Sequence, residues 1–143
     1  MRSLALYAPH VGAHVFPEAR VLLGGETYVP DVVIYREDRL PVAEDGEFPL
    51  YFSEPPDLAV EIASPGQTQG SLISRCQELV ALGVPLVVLL IPYPRSARAA
   101  RVFRPDGETG PLTGADVVDL SDLADGLRFL VDEIFSALRA RPA

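Results

Sequence analysis

Two short blocks place acidic side chains inside stretches that otherwise read as buried strand. They are Tyr28-Val-Pro-Asp-Val-Val-Ile-Tyr35 and Pro55-Pro-Asp-Leu-Ala-Val-Glu-Ile-Ala-Ser-Pro65. Asp31 leads directly into Val32, Val33 and Ile34, and Glu61 stands between Val60 and Ile62. A carboxylate in such company is costly unless it is paired, hydrogen-bonded or bound to a cation. Two carboxylates on neighbouring strands can hold a hard divalent ion for hydrolysis. Other readings stay open. Asp31 could bond backbone amides at a strand end, and Arg75 could neutralise Glu61 in an inert structural ion pair. Asp57, which follows Pro55-Pro56, reads first as a turn cap and second as a ligand.

The elements that must carry these residues follow from periodicity. Val15 to Leu23 reads as a strand, Gly24-Gly25 as a hairpin turn, and Thr27 to Tyr35 as the partner strand, with Pro30 marking an edge or a later start at Asp31. Residues 36–49 are polar and Pro-bearing, so they form a loop. Asp57 to Ala63 is the third strand: Leu58, Val60 and Ile62 share a packing face, while Asp57, Ala59 and Glu61 share the face that carries the acids. Ser71 to Leu82 shows helical spacing at Leu72, Cys76, Leu79 and Val80, and Gly83 stops it. Leu86 to Ile91 is apolar throughout, as in a strand covered on both faces. Ala99 to Phe103 is the next strand, Pro105-Asp-Gly a turn, and Val117 to Leu120 a short edge strand. Asp132 to Arg139 is a final helix with Ile134, Phe135 and Leu138 inward. Leu4 to His14 is an irregular lead-in or the remnant of a helix. Strands, a helix and a further buried strand imply an α/β domain with a mixed sheet flanked by helices.

Composition narrows the function classes. The chain has 143 residues, 48% of them hydrophobic and 22% charged, which suits one folded domain spanning 1–143. Its formal net charge of −8 argues against a broad basic surface for non-specific nucleic-acid binding. Arg95, Arg98, Arg101 and Arg104 are the candidates for a local basic groove, against the plainer reading of a solvated edge. All 12 basic residues are arginine and no asparagine occurs, a pattern expected of GC-rich bacterial coding. Cys76 is alone, which excludes an intrachain disulfide and a cysteine-rich zinc site and reads as core in a reducing cytoplasm. His10 and His14 lack the two further ligands that zinc would need. Gly24-Gly25 has no lysine or following helix to make a phosphate loop. The N-terminal apolar run is broken by Pro9, and the run from Leu79 to Ile91 is too short to span a bilayer.

The combined order resembles the Uma2 restriction-endonuclease family, a bacterial branch of the PD-(D/E)xK nuclease-like superfamily. The matching blocks are Val-Pro-Asp-Val-Val-Ile, then Pro-Asp-Leu-Ala-Val-Glu-Ile-Ala-Ser-Pro, then a helix ending Ala-Leu-Gly-Val-Pro before an apolar strand. The resemblance runs from about Val15 to Leu138. It implies a restriction-endonuclease-like fold, with Asp31 and Glu61 as metal ligands and Mg²⁺ as the cofactor activating water against a phosphodiester. Two departures stand out. The family usually carries a lysine on the helix after Ser-Pro, with an aspartate one turn earlier, whereas this chain has Arg75 and Ser71 at those positions. Arginine holds charge but does not act as a base. The family's opening helix and its acidic segment also have no counterpart here; Glu18 is merely a nearby acid.

The resulting expectation is a Mg²⁺-dependent DNA endonuclease, or a degenerate descendant of one, with Asp31, Glu61 and Arg75 as site residues. The alternative class is a catalytically silent binding or assembly module that keeps the fold. A weaker third reading is an accessory protein of a toxin–antitoxin system or mobile element. A homodimer is expected, with Leu86 to Ile91 and the last helix as the elements needing cover by a partner.

Overall fold

The computed structural model describes residues 12–40, 46, 47 and 49–139. Its frame is a six-stranded mixed sheet in the order β1-β4-β5-β6-β7-β8. The strands are β1 (Ala13–Pro17), β4 (Val32–Arg36), β5 (Leu58–Ile62), β6 (Val87–Ile91), β7 (Ala99–Arg104) and β8 (Gly107–Leu112). Only the β5–β6 pair is parallel, and the helix α1 (Gln69–Ala81) makes the crossover that a parallel pair requires. Two small sheets complete the fold: the hairpin β2 (Val21–Leu23) with β3 (Glu26–Tyr28), and β9 (Val117–Asp119) with β10 (Arg128–Leu130). The last element described is α2 (Val131–Arg139). The expected mixed α/β sheet with flanking helices is therefore the observed architecture.

The sheet is buried on both faces, by two separate cores. On one face Val32, Ile34, Leu58, Val60, Val88 and Val102 pack under β9, β10 and α2, through residues such as Phe129, Ile134 and Phe135. On the other, Val33, Tyr35, Ala59, Val87 and Leu89 pack under α1, through Leu72, Cys76 and Leu79. This corrects the two-faced reading of β5. The face that carries Glu61 is not a polar one, because Ala59 on it is fully buried within the second core.

Helix α1 is bounded as its sequence dictates. The Thr68 side chain accepts a hydrogen bond from Ser71 N–H at its start. At its end Gly83 adopts φ +108, with Gly83 N–H bonded to Val80 O and Val84 N–H to Leu79 O, a Schellman closure.

Several boundaries differ from the periodicity. The expected strand from Val15 to Leu23 is broken at Glu18, which takes φ +51 and donates its N–H to Asp31 O. Its partner from Thr27 to Tyr35 is broken at Val29-Pro30-Asp31, since proline cannot donate to a ladder. The outer halves of both pair as β2–β3 and the inner halves as β1–β4. β8 and β10 were not foreseen; β8 carries two glycines and a proline and is almost wholly exposed. The lead-in from Leu4 through residue 11, with His10, and the side chain of Leu138 lie outside the described residues.

The elements expected to need a second subunit are already covered. Every residue of β6 is buried by the two cores, and Ile134 and Phe135 of α2 fill the first core. The sequence argument for a homodimer thus loses its physical basis at those elements. Among the described residues no helix is long and apolar enough to cross a membrane.

Candidate metal and phosphate site

Strand register brings the two acids together. In the antiparallel β4–β5 pair Val33 faces Ala59 and Val32 faces Val60, and one further step sets Asp31 across from Glu61. Strand alternation puts Glu61 on the face covered by α1. Asp31 lies just before the ladder begins, where Pro30 leaves the backbone free of pairing. Its Oδ2 accepts a hydrogen bond of 2.6 Å from Ile62 N–H, which locks it against the strand that carries Glu61.

Glu61 is the buried charged residue of the described chain, its side chain only 8% exposed. Arg75, near the middle of α1, reaches down to it and donates from Nε to Oε1 at 3.0 Å. Burial pushes the Glu61 carboxyl above the ordinary glutamate range; Arg75 opposes that shift and the Asp31 charge adds to it. Cys76, the next residue on α1, is fully buried, and burial followed by the Glu61 charge pushes its thiol up to about 12. It is a core thiol and not a nucleophile.

Sequence reasoning missed one neighbour. The Arg75 guanidinium lies over the ring of Tyr28, with Cζ 5.7 Å from the ring centroid. Tyr28 is buried, and its hydroxyl donates to Glu26 Oε2 at 3.4 Å. Burial first, and then Glu78 and Glu26, raise the Tyr28 pKa. The signal was available in part: Tyr28 lies three residues before Asp31, and Glu78 lies one helical turn beyond Arg75.

The remaining candidates take other roles. Asp57 accepts from Arg36 N–H at 2.7 Å and pairs with Arg39, bracing the start of β5. Glu18 touches the site through its backbone bond to Asp31. His14 sits 4.0 Å from Glu37. The arginine cluster does not line one groove. Arg101 shares the α1 face with Phe103 and lies 3.9 Å from Glu108, whereas Arg104 shares the opposite face with Val102 and binds both oxygens of Asp122 at 2.9 Å. Arg98 lies over Phe135, 5.6 Å from its ring centroid.

Among the described residues no three His, Cys, Asp or Glu side chains cluster to hold a metal. The donor set at the site is therefore two carboxylates. That suits Mg²⁺, which keeps several waters and takes one or two carboxylates in place of a full protein cage.

The arrangement is that of a nuclease-like fold with paired acids on adjacent strands. Residues 2–132 match the model of the Uma2 family, described as "Putative restriction endonuclease", and the chain belongs to that family. It is also similar to a solved structure, "a putative nuclease belonging to DUF820 from Anabaena variabilis ATCC 29413". The two share 27% identity and a TM-score of 0.80, over 94% of this chain and 74% of that one. No curated protein matches the chain.

Proposed function

We propose that this chain is a Mg²⁺-dependent DNA endonuclease hydrolysing phosphodiesters, with Asp31 and Glu61 as the carboxylates that take the cation. What supports this reading is the register that sets the two acids at facing positions of neighbouring strands, each held by its own hydrogen bond. Asp31 spends Oδ2 on Ile62 N–H and Glu61 spends Oε1 on Arg75, so the second oxygen of each is the natural cation donor. Mg²⁺ bound there would polarise the phosphate and activate a water.

The residues of the chain do the rest. Burial of Glu61 keeps competing water away from the pair and strengthens its interactions. Arg75 meets Glu61 through Nε and is about one-third exposed, with its side chain at 36%. Its terminal nitrogens are the groups to hold a phosphate oxygen as charge develops. Arg75 acts by position and charge, since a guanidinium gives up no proton at working pH.

The second reading, a silent binding module, draws support from the same ion pair. Arg75 already neutralises Glu61, and no lysine stands by to serve as a base. Incubating supercoiled plasmid with the protein and Mg²⁺ or Mn²⁺ separates the two. Nicking that EDTA and Asp31→Asn both abolish is the expected result. Plasmid left intact by a protein that still binds duplex DNA would establish the silent module instead.

A further inference from the structure

Three features of the site converge on one side chain: arginine where lysine is usual, the buried ring beneath it, and the commitment of Arg75 Nε to Glu61. We propose that Arg75, seated on Tyr28, is a built-in counter-cation that competes with the divalent ion for Glu61 and so sets the metal concentration at which the site fills. The proposal rests on the reading of Asp31 and Glu61 as a cation site.

Without metal Glu61 needs another positive neighbour, because its side chain is only 8% exposed. Arg75 supplies that neighbour at 3.0 Å. A guanidinium there occupies a carboxylate lone pair and repels an arriving cation through a poorly screened medium. Metal on the second oxygen draws on the charge of the same carboxylate, so the hold of Arg75 on Oε1 weakens as the site fills.

Tyr28 makes that exchange possible without expelling the arginine. The guanidinium already lies over the ring face, whose negative quadrupole favours a cation. The ring is itself fixed by packing: Tyr28 is 7% exposed and belongs to the core under α1. Arg75 therefore has two favourable neighbours, Glu61 at one edge and Tyr28 at its face, and can yield the first while keeping the second. An ammonium has no flat face with which to stack, so arginine suits this exchange as lysine does not.

Calorimetric titration of Mn²⁺ into the EDTA-stripped full chain, at fixed ionic strength, tests the competition. Arg75→Gln is expected to tighten Mn²⁺ binding by about tenfold or more. Tyr28→Phe, which keeps the ring face, should match wild type, and Tyr28→Leu, which removes it, should weaken binding. If Arg75→Gln binds Mn²⁺ no more tightly than wild type does, the proposal is overturned and the metal site stands. If neither binds Mn²⁺, the cation-site reading and the proposal fall together. A wild-type measurement covers the case in which Arg75→Gln does not fold. In ¹⁵N-labelled protein the Arg75 Nε–H signal should move on Mg²⁺ saturation, and a signal that stays fixed at saturating Mg²⁺ overturns the competition.

Discussion

The Asp31 carboxylate accepts a 2.6 Å hydrogen bond from the backbone N–H of Ile62, the residue directly after Glu61. One bond thus ties the end of β4 to the strand that carries the second acid, and it fixes the spacing between the two. The bond needs only an oxygen acceptor, whereas a cation needs the charge. Asp31→Asn should therefore fold normally, with a melting temperature close to wild type, yet lose Mn²⁺ binding and any metal-dependent cleavage by about 100-fold or more. Asp31→Ala should lose both, at a cost of about 1.5–3 kcal/mol for a hydrogen bond to a charged group. Thermal melts beside metal titrations of the two variants check the split.

Glu61 carries the opposite balance. Burial raises its pKa, so the charged form is disfavoured in the folded apoprotein despite Arg75. The stability associated with the protonated form is full below the unfolded pKa and is lost as pH rises through the folded one. Glu61→Gln removes the charge and still offers Arg75 Nε an acceptor. The apoprotein should consequently melt higher than wild type at neutral pH while losing its metal. The gain should shrink as pH falls through the folded pKa of Glu61. A functional carboxylate held at the expense of stability behaves in this way. Differential scanning calorimetry from pH 4 to 8 measures it, and a variant less stable than wild type throughout would argue that the ion pair is purely structural.

The two acids stood out in the sequence because charge inside a β-branched run has few explanations. Their place on neighbouring strands was legible from two apolar runs separated by the polar loop 36–49, whereas their alignment needed the β4–β5 register. Arg75 followed from the family resemblance, which sets it, counted back from Gly83, at the position where the family usually carries lysine. Tyr28 was hidden because an aromatic on a short strand looks like core, and only the fold reveals what lies above it. The breaks at Glu18 and Pro30 blurred the hairpin: one side needed a positive φ at a glutamate, which no propensity foretells. β8 was invisible for the reverse reason. Gly107, Gly110 and Pro111 suit a loop; Gly107 pairs with Arg104 at the turn, and Gly110 and Pro111 fall where the β7–β8 register shifts, so no hydrophobic pattern marks the strand.

Away from the site, Arg104 anchors the β9–β10 side of the sheet. Its Nε and Nη2 bind both Asp122 oxygens at 2.9 Å, and Nη2 also donates to Asp119 O at 2.7 Å. The Arg104 hydrogen bonds hold the Asp122 carboxyl below the ordinary aspartate range. The pair's contribution is therefore present above the unfolded pKa and is lost as pH falls through the folded one. Because Asp122 is substantially exposed, Asp122→Asn should cost no more than about 1 kcal/mol, less in high salt. The difference from wild type should vanish in acid. Urea melts at neutral and acidic pH, each at low and high salt, would show both trends.

Gly83 closes α1 and so governs where Arg75 sits over Glu61. Its φ of +108 suits glycine alone, and a Cβ built there would come within 3.2 Å of Pro55 Cγ. Pro55 leads into β5, so the same crowding would press on the strand that carries the acid. Gly83→Ala should destabilise the fold by about 1–3 kcal/mol. Relief would require the helix end or the Pro55-Pro56 segment to shift. Metal affinity would then fall along with stability, even though Gly83 touches no ligand. Gly66→Ala is the control: Gly66 also has a positive φ, of +92, but its Cβ would meet nothing within 4 Å. It should lose stability with metal affinity unchanged. Equal Mn²⁺ affinities for the two variants would show that the helix end does not set the site's geometry.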